Sequence, residues 1–329
     1  MSTTPQTVSI PFPAAGYHAL TDWELLSVTG RDRVDFLKGL LTNSIKRVSV
    51  GGGNTSLFLT VKGRIQGEAV LAKFEDNLLL LTPPQERQGL LDFLNHYHVI
   101  EKVSFSELDN SIVPYLLVGN ELPQSLAKAG LDFPESGQGL QLSEWLEASD
   151  TPIWGTRYER MGRLPMLIVW APQDWTNKVE AKLSELGLEA LTHEQVAQAR
   201  ISGGWYSLPE MKELLVHEAN LQETHVDFKK GCFVGQEVVA RTEHRGKANK
   251  RLVALSSEAG NSTEVGASIH NEAGKEVGQI VAAWPGADEK AGTIYRALLR
   301  VQAWEEAATL SAASNKEEAV PLQKIEFQW

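Results

Sequence analysis

Short apolar runs of strand length alternate with helical periodicity through the first third of the chain. Residues 23–28 form one such run. Residues 56–61, 65–74 and 77–82 form three more, punctuated by Lys62-Gly63-Arg64 and Glu75-Asp76-Asn77. Runs of this length with turn residues between them predict a lone strand and then a β-meander. Between them, Val34, Leu37 and Leu41 recur at helical spacing over residues 31–41. Pro83-Pro84 opens a second helix to about residue 97, with Leu90, Leu91 and Leu94 on one face. Proline suits the first helical positions because their amides have no partner in the helix. A strand follows near Val103. Gly51-Gly52-Gly53-Asn54 reads as a flexible turn, since the Lys-Ser/Thr of a phosphate loop does not follow it.

A second α/β portion spans residues 113–187. Residues 113–118 and 164–170 are strand-like, and Val179, Leu183 and Leu186 give residues 174–186 a buried helical stripe. From residue 251 onward the texture changes to short strands separated by Gly or Asn: 251–255, 267–269, 277–283 and 293–301. Ile325, Phe327 and Trp329 close the chain at period two. The Ala/Ser/Glu-rich residues 305–319 read as a long loop. This part predicts a small β-barrel. The irregular order of strands and helices before it predicts an α+β fold, not a doubly wound parallel sheet. Residues 1–20, broken by prolines at 5, 11 and 13, read as a loose arm.

Composition narrows the function. The 329 residues carry 31 Lys and Arg against 42 Asp and Glu, a net charge of −11. That balance argues against wholesale binding to phosphate backbones. The single cysteine can make no intramolecular disulfide and cannot supply four thiolates to a cluster or zinc ion. The eight histidines show no zinc-ligand spacing; His96 and His98 are two apart, not four. No basic, apolar leader and no spanning segment is apparent, so a cytoplasmic setting without membrane partners is expected.

One stretch carries chemistry: residues 227–241, DFKKGCFVGQEVVAR. Gly231 and Gly235 flank Cys232 and would let a ligand approach the backbone. A helix expected from Gly235 adds a positive dipole end. That end, beside Lys229 and Lys230, would bias a thiol toward thiolate. Glu237 can reach Arg241 across one helical turn. Residues 229–251 hold seven basic and two acidic side chains, so the segment is +5 and the remainder −16. Such a concentration of charge suits an anionic ligand or a docking surface.

Residues 230–237, Lys-Gly-Cys-Phe-Val-Gly-Gln-Glu, closely resemble the signature of the YgfZ family, folate-binding proteins related to the glycine-cleavage aminomethyltransferase. Asp22-Trp23-Glu24-Leu25, Val28-Thr29-Gly30 and Ala219-Asn220-Leu221 occur in the family's order. The resemblance implies two intertwined ferredoxin-like α/β lobes and a C-terminal barrel around a tetrahydrofolate site. On that pattern residues 1–20 are an arm and residues 21–112, completed by 188–245, the first lobe. Residues 113–187 are the second lobe and 246–329 the barrel. The likeness implies an accessory role toward iron–sulfur client or assembly proteins, with an indirect link to tRNA modification. It makes Cys232 the functional thiol and Trp23 a stacking surface for folate. Lys230, Gly231, Gly235, Gln236, Glu237 and Arg241 are the accompanying binding residues.

Two departures stand out. The family's second folate-lining Trp is Val196 here, and the Glu of its Ile-Glu-Ala-Gly-like segment is Ser202; Trp205 lies close enough in sequence to compensate. The related transferases also carry an acid in the meander, where this chain has Gln66 and Gly67. An amide cannot take up a proton near neutral pH, which argues against glycine-cleavage chemistry. The competing readings are a one-carbon transferase using Cys232 and an RNA-binding module resting on the +5 segment, which lacks interleaved aromatics.

Overall fold

The computed structural model describes residues 6–9, 13–108, 111–148, 151–159, 164–202, 207–246, 248–284, 292–313 and 319–328. Trp205, Lys247 and Trp329 lie outside them. The chain forms two compact units. The larger comprises residues 11–208 and 222–236; the other comprises residues 1–10, 209–221 and 237–329.

The larger unit contains two sheets. The first runs in the order Gly53–Leu59, Ile65–Lys73, Leu78–Thr82, Glu24–Thr29, Ser104–Glu107, all neighbours antiparallel. The predicted meander is its first three strands. Helices Arg33–Lys38 and Arg87–Tyr97 contribute Phe36, Leu37, Leu90 and Leu94 to a core with Leu26, Val28, Leu71 and Leu80. Leu78–Thr82 is buried at every position, which explains its unbroken Leu run: a strand covered on both faces has no reason to alternate. The second sheet runs Glu189–Ala190, Gly16–Ala19, Ile112–Val118, Met166–Pro172, Trp154–Arg157, Gly139–Gln141. Helix Thr176–Glu185 packs Val179 and Leu183 into its core, as the stripe predicts.

The chain visits the second sheet at residues 16–19 before it builds the first, so the two are interleaved. Residues 16–19 are therefore a strand and not a loose arm, paired with Ile112–Val118 and with Glu189–Ala190. Nothing local announces this strand; its partners are supplied from about a hundred residues away or more.

The Gly51-Gly52-Gly53 run is likewise not a flexible turn. Gly51 has φ +77°, and a Cβ there would lie 2.0 Å from the Trp154 ring. A Cβ on Gly52 would meet the Gly137 carbonyl at 2.1 Å, and one on Gly53 the Leu71 carbonyl at 1.9 Å. Thr156 Oγ1 donates to the Gly51 carbonyl (3.2 Å) and accepts from Trp170 Nε1 (2.7 Å). The three glycines let the edge of the first sheet lie directly on the second.

The smaller unit is built on a closed six-stranded barrel: Val320–Gln328, Lys250–Ser256, Ile294–Arg300, Glu276–Trp284, Ser268–Asn271, Leu310–Ala313 and back to the first. Closure leaves these strands without an open edge. Leu255, Ile269, Tyr295 and Leu299 fill the interior. Gln6–Ser9 adds to Val320–Gln328 in parallel. The expected 305–319 loop is in part structured: helix Val301–Glu306 reaches into it and Leu310–Ala313 is a barrel strand. Its bias toward Ala and Ser masked that strand, in which Leu310 and Ala312 pack inside the barrel. No helix of the described residues is long and apolar enough to cross a membrane. The architecture is thus α+β with a terminal barrel, as expected.

Candidate functional site

The motif loop is fastened to the first sheet and its first helix by backbone and side-chain bonds. The Asp227 amide donates to the Thr42 carbonyl (3.1 Å), and the Val234 amide to the Gly39 carbonyl (3.0 Å). The Asp227 carboxylate accepts from the Lys229 amide (2.9 Å) and pairs with Arg47 (3.0 Å). Phe233 is buried, and Val234 packs onto the Phe36–Leu80 core. Gly235 has φ +82°, and a Cβ there would lie 2.6 Å from the Thr60 carbonyl and 3.1 Å from Gly63 Cα. The second glycine of the motif is thus required both by its backbone angle and by the turn it rests on. Gly231 is different: its Cβ would meet only Lys38 Cε, at 3.5 Å.

These fastenings leave Gly231 and Cys232 exposed at the outside of the loop, with Cys232 a free thiol. Gln236 begins the helix Gln236–Arg245, and Glu237 and Arg241 are exposed on it. Lys230 turns inward instead. Its ammonium donates to the carbonyls of Lys38 (2.8 Å) and Leu41 and lies 4.9 Å from the centre of the Phe233 ring. It thereby satisfies carbonyls left over at the end of helix Arg33–Lys38. Burial pushes its pKa down to about 8, partly opposed by Asp227 and assisted by Lys38.

Behind the loop lies a pair that the sequence did not reveal. His225 Nε2 and Glu68 Oε1 are 3.2 Å apart, with the two side chains 0% and 2% exposed. His225 Nδ1 is 2.6 Å from Thr224 Oγ1, and the His225 carbonyl accepts from Thr42 Oγ1 (2.6 Å). This ties the meander strand Ile65–Lys73 to the segment entering the motif. Gln66 and Gly67 stand beside Glu68 and, with Phe58 and Phe93, line a small cavity of about 20 Å³.

Trp23 belongs to a different part of the larger unit. It is half-buried and lines two cavities, one of about 480 Å³ and one of about 190 Å³, which share Leu20, Asp22 and Trp23. The larger is polar, with Glu24, Arg87, Tyr115 and Glu180 in its walls. Arg87 pairs with Glu107 (2.9 Å), and its amide donates to Glu24 (2.9 Å). Tyr115 donates to Glu180 (2.8 Å), and burial together with that carboxylate holds its phenol above the usual range. The smaller cavity has apolar walls from Pro83, Pro84, Val196 and Ala197, with His18, His193 and Arg200 between them. Of the residues singled out from the sequence, the structure gathers Lys230, Gly231, Cys232, Gly235 and Gln236 on one loop and places Trp23 at the cavities. Val196, the departure from the family's Trp, is in the smaller cavity with Trp23. Among the described residues no group of three or more His, Cys, Asp or Glu is placed to hold a metal ion.

Comparison with known proteins agrees with this architecture. No family model matches the chain. It is 26% identical over 271 residues to the mitochondrial iron–sulfur cluster assembly factor IBA57 homolog of Aspergillus oryzae, covering 73% of this chain and 57% of that one. The corresponding protein of Aspergillus fumigatus is 25% identical over 284 residues, covering 77% and 60%. The chain thus spans less than two thirds of the length of these fungal relatives. An uncharacterized protein of Haemophilus influenzae is 24% identical over 283 residues, covering 85% and 83%. Among solved structures, the glycine cleavage system aminomethyltransferase T of Bartonella henselae superposes with a TM-score of 0.74 at 17% identity, over 96% of this chain and 86% of that one. The chain therefore shares the fold of that aminomethyltransferase. The fungal relatives carry the name IBA57 homolog, and the resemblance to the YgfZ family carried by residues 230–237 agrees with this fold.

Proposed function

We propose that this protein is a tetrahydrofolate-binding accessory factor supporting assembly or repair of iron–sulfur enzymes, including one involved in tRNA modification. The observation that carries the reading is Trp23, half-buried between two cavities of a transferase-like fold, where an indole face can receive a flat ring. The names of the fungal relatives support the iron–sulfur part. In this reading Cys232 is the functional thiol, offered to client or assembly proteins on the outside of its loop. Gly231 and Gln236 stand on the same segment as the thiol, and Glu237 and Arg241 are exposed on the helix that follows it. Lys230 and Gly235 are positioning residues: one holds the end of helix Arg33–Lys38, the other the turn at Thr60–Gly63. The setting is the cytoplasm, and the link to tRNA runs through the client.

The meander favours an accessory role over group transfer. By the resemblance, Gln66 and Gly67 correspond to the transferase acid, and the neighbouring carboxylate, Glu68, is buried against His225. An amide at that place cannot exchange a proton with a substrate near neutral pH.

Calorimetric titration with tetrahydrofolate tests the binding. Saturable binding is expected, and Trp23→Ala should weaken it by roughly five- to a hundredfold, the worth of one stacked ring. Absence of heat at high micromolar ligand would sink the folate reading, and unchanged affinity in Trp23→Ala would remove the stacking assignment. Cys232→Ala should fold normally, since the side chain is exposed, yet fail to restore iron–sulfur enzyme activity in a deletion strain. Full restoration would reduce the thiol to a surface residue.

A further inference from the structure

We infer that Asp22 is the carboxylate that anchors the bound folate by its pterin ring, and that the ligand's glutamate tail adds no affinity. The inference rests on the folate reading and assigns the two cavities beside Trp23 to the two ends of the ligand. Drug-sized ligands occupy pockets of roughly 300–1,000 Å³. The smaller cavity, at about 190 Å³, falls below that range and suits a single fused ring. Its walls are those a flat heterocycle requires: Trp23 and the two prolines for the faces, and a few polar groups for the edges. The cavity is held in shape, since His18 Nδ1 donates to the Leu191 carbonyl (2.8 Å) and His193 meets the His18 ring edge-on at 6.1 Å.

A pterin presents a ring N–H and an amino group side by side. Such a pair of donors matches the two oxygens of one carboxylate. Ser202 stands where the resemblance to the YgfZ family gives Glu. Asp22 supplies a carboxylate from another element, on the residue next to Trp23. It is exposed, and its side chain makes no hydrogen bond or ion pair with the described residues. Arg200 in the same cavity is a donor suited to the ring's carbonyl oxygen.

The larger cavity has the wrong charge for a carboxylate tail. Asp22, Glu24 and Glu180 stand in its walls against Arg87, which is already paired with Glu107. A chain of glutamates entering it would meet like charge. Like charges at close range raise the free energy of the complex, more so in a partly desolvated cleft.

The test is a titration of three ligands, 6-methyltetrahydropterin, tetrahydrofolate and its triglutamate, into the wild-type protein and Asp22→Asn, with thermal melts confirming that both are folded. The tail-less pterin should bind within about tenfold of tetrahydrofolate, and the triglutamate should bind no more tightly than the monoglutamate. Asp22→Asn should weaken all three by roughly ten- to a hundredfold, the effect of losing a charge-assisted pair of hydrogen bonds. A triglutamate bound more than tenfold tighter would place the tail, not the ring, at the recognising end and overturn the inference. So would a variant with wild-type affinity. If wild-type protein binds none of the three, the folate reading and this inference fall together. If it binds them and Asp22→Asn changes nothing, only the inference falls.

Discussion

Lys230 belongs to the most basic stretch of the chain, yet its charge does not face outward. Its ammonium is buried against the carbonyls of Lys38 and Leu41, where it holds the loop to the end of helix Arg33–Lys38. Lys324 does the same in the barrel: it donates to the carbonyls of Trp304 (2.7 Å) and Ala307 (2.9 Å) at the end of helix Val301–Glu306, and burial lowers its pKa too. For Lys230 the sign of the pH effect follows from a pKa of about 8 in the folded protein against 10.5 for an ordinary lysine. Between those values the unfolded chain binds more protons, so this group's contribution to stability rises with pH across that window. Below about pH 8 the folded state carries a desolvated charge. Lys230→Met should remove the two hydrogen bonds at a cost of about 1–3 kcal/mol. Its destabilisation, read from urea midpoints, should be smaller at pH 7 than at pH 10. A penalty independent of pH would mean that the ammonium is solvated. From sequence, the neighbouring Lys229 and Lys230 were indistinguishable, because only the carbonyls brought up by Gly39–Leu41 tell which one turns inward. The Glu68–His225 pair was hidden for the same reason: its members are 157 positions apart, and neither stands in a motif.

Elements whose signal is local were legible, and those completed by distant partners were not. The meander, the helix at Arg87–Tyr97 and the helix at Thr176–Glu185 follow from apolar spacing and punctuation alone. Gly16–Ala19 and Leu310–Ala313 do not, since short strands of small or mixed residues acquire their identity from the sheet that receives them. The glycine run at 51–53 shows the opposite error, in which a familiar loop signal proves to be a packing device. Its role makes a sharp prediction. Gly51→Ala places a methyl within 2.0 Å of the Trp154 ring, at a backbone angle of +77° that disfavours any side chain. Overpacking and a left-handed residue each cost about 1–3 kcal/mol, so the variant should lose several kcal/mol of stability. Gly187→Ala provides the control: φ is +79° there but nothing stands within 4 Å of the added carbon. Thermal melts should therefore show a much larger loss at position 51. Equal losses at both positions would leave backbone strain as the whole effect and remove the packing role of Gly51.

At the scale of the whole molecule, the charge count needs the structure to be interpreted. Residues 229–251 are +5 on paper, within a chain that is otherwise −16. Lys230 keeps its charge at neutral pH but turns it inward onto the carbonyls of Lys38 and Leu41, and Arg251 lies over the Trp304 ring at 5.1 Å. Arg47 and Asp227 offset one another beside the loop. Lys229, Arg241 and Lys250 remain exposed to a partner. A few exposed cations in an acidic protein act through long-range attraction more than through any one contact, so they chiefly affect the association rate and its salt dependence. If client proteins are recruited through this segment, Arg241→Glu should slow their association and flatten its dependence on ionic strength between about 50 and 300 mM, where screening shortens from roughly 14 to 6 Å. The melting temperature should hardly move, because Arg241 is exposed on its helix. Cys232→Ala should do the reverse in the same kinetic measurement, leaving association intact while activity is lost. Association rates that ignore Arg241→Glu at low salt would show that the basic segment does not steer the partner, and would leave the exposed loop at Cys232 as the point of first contact.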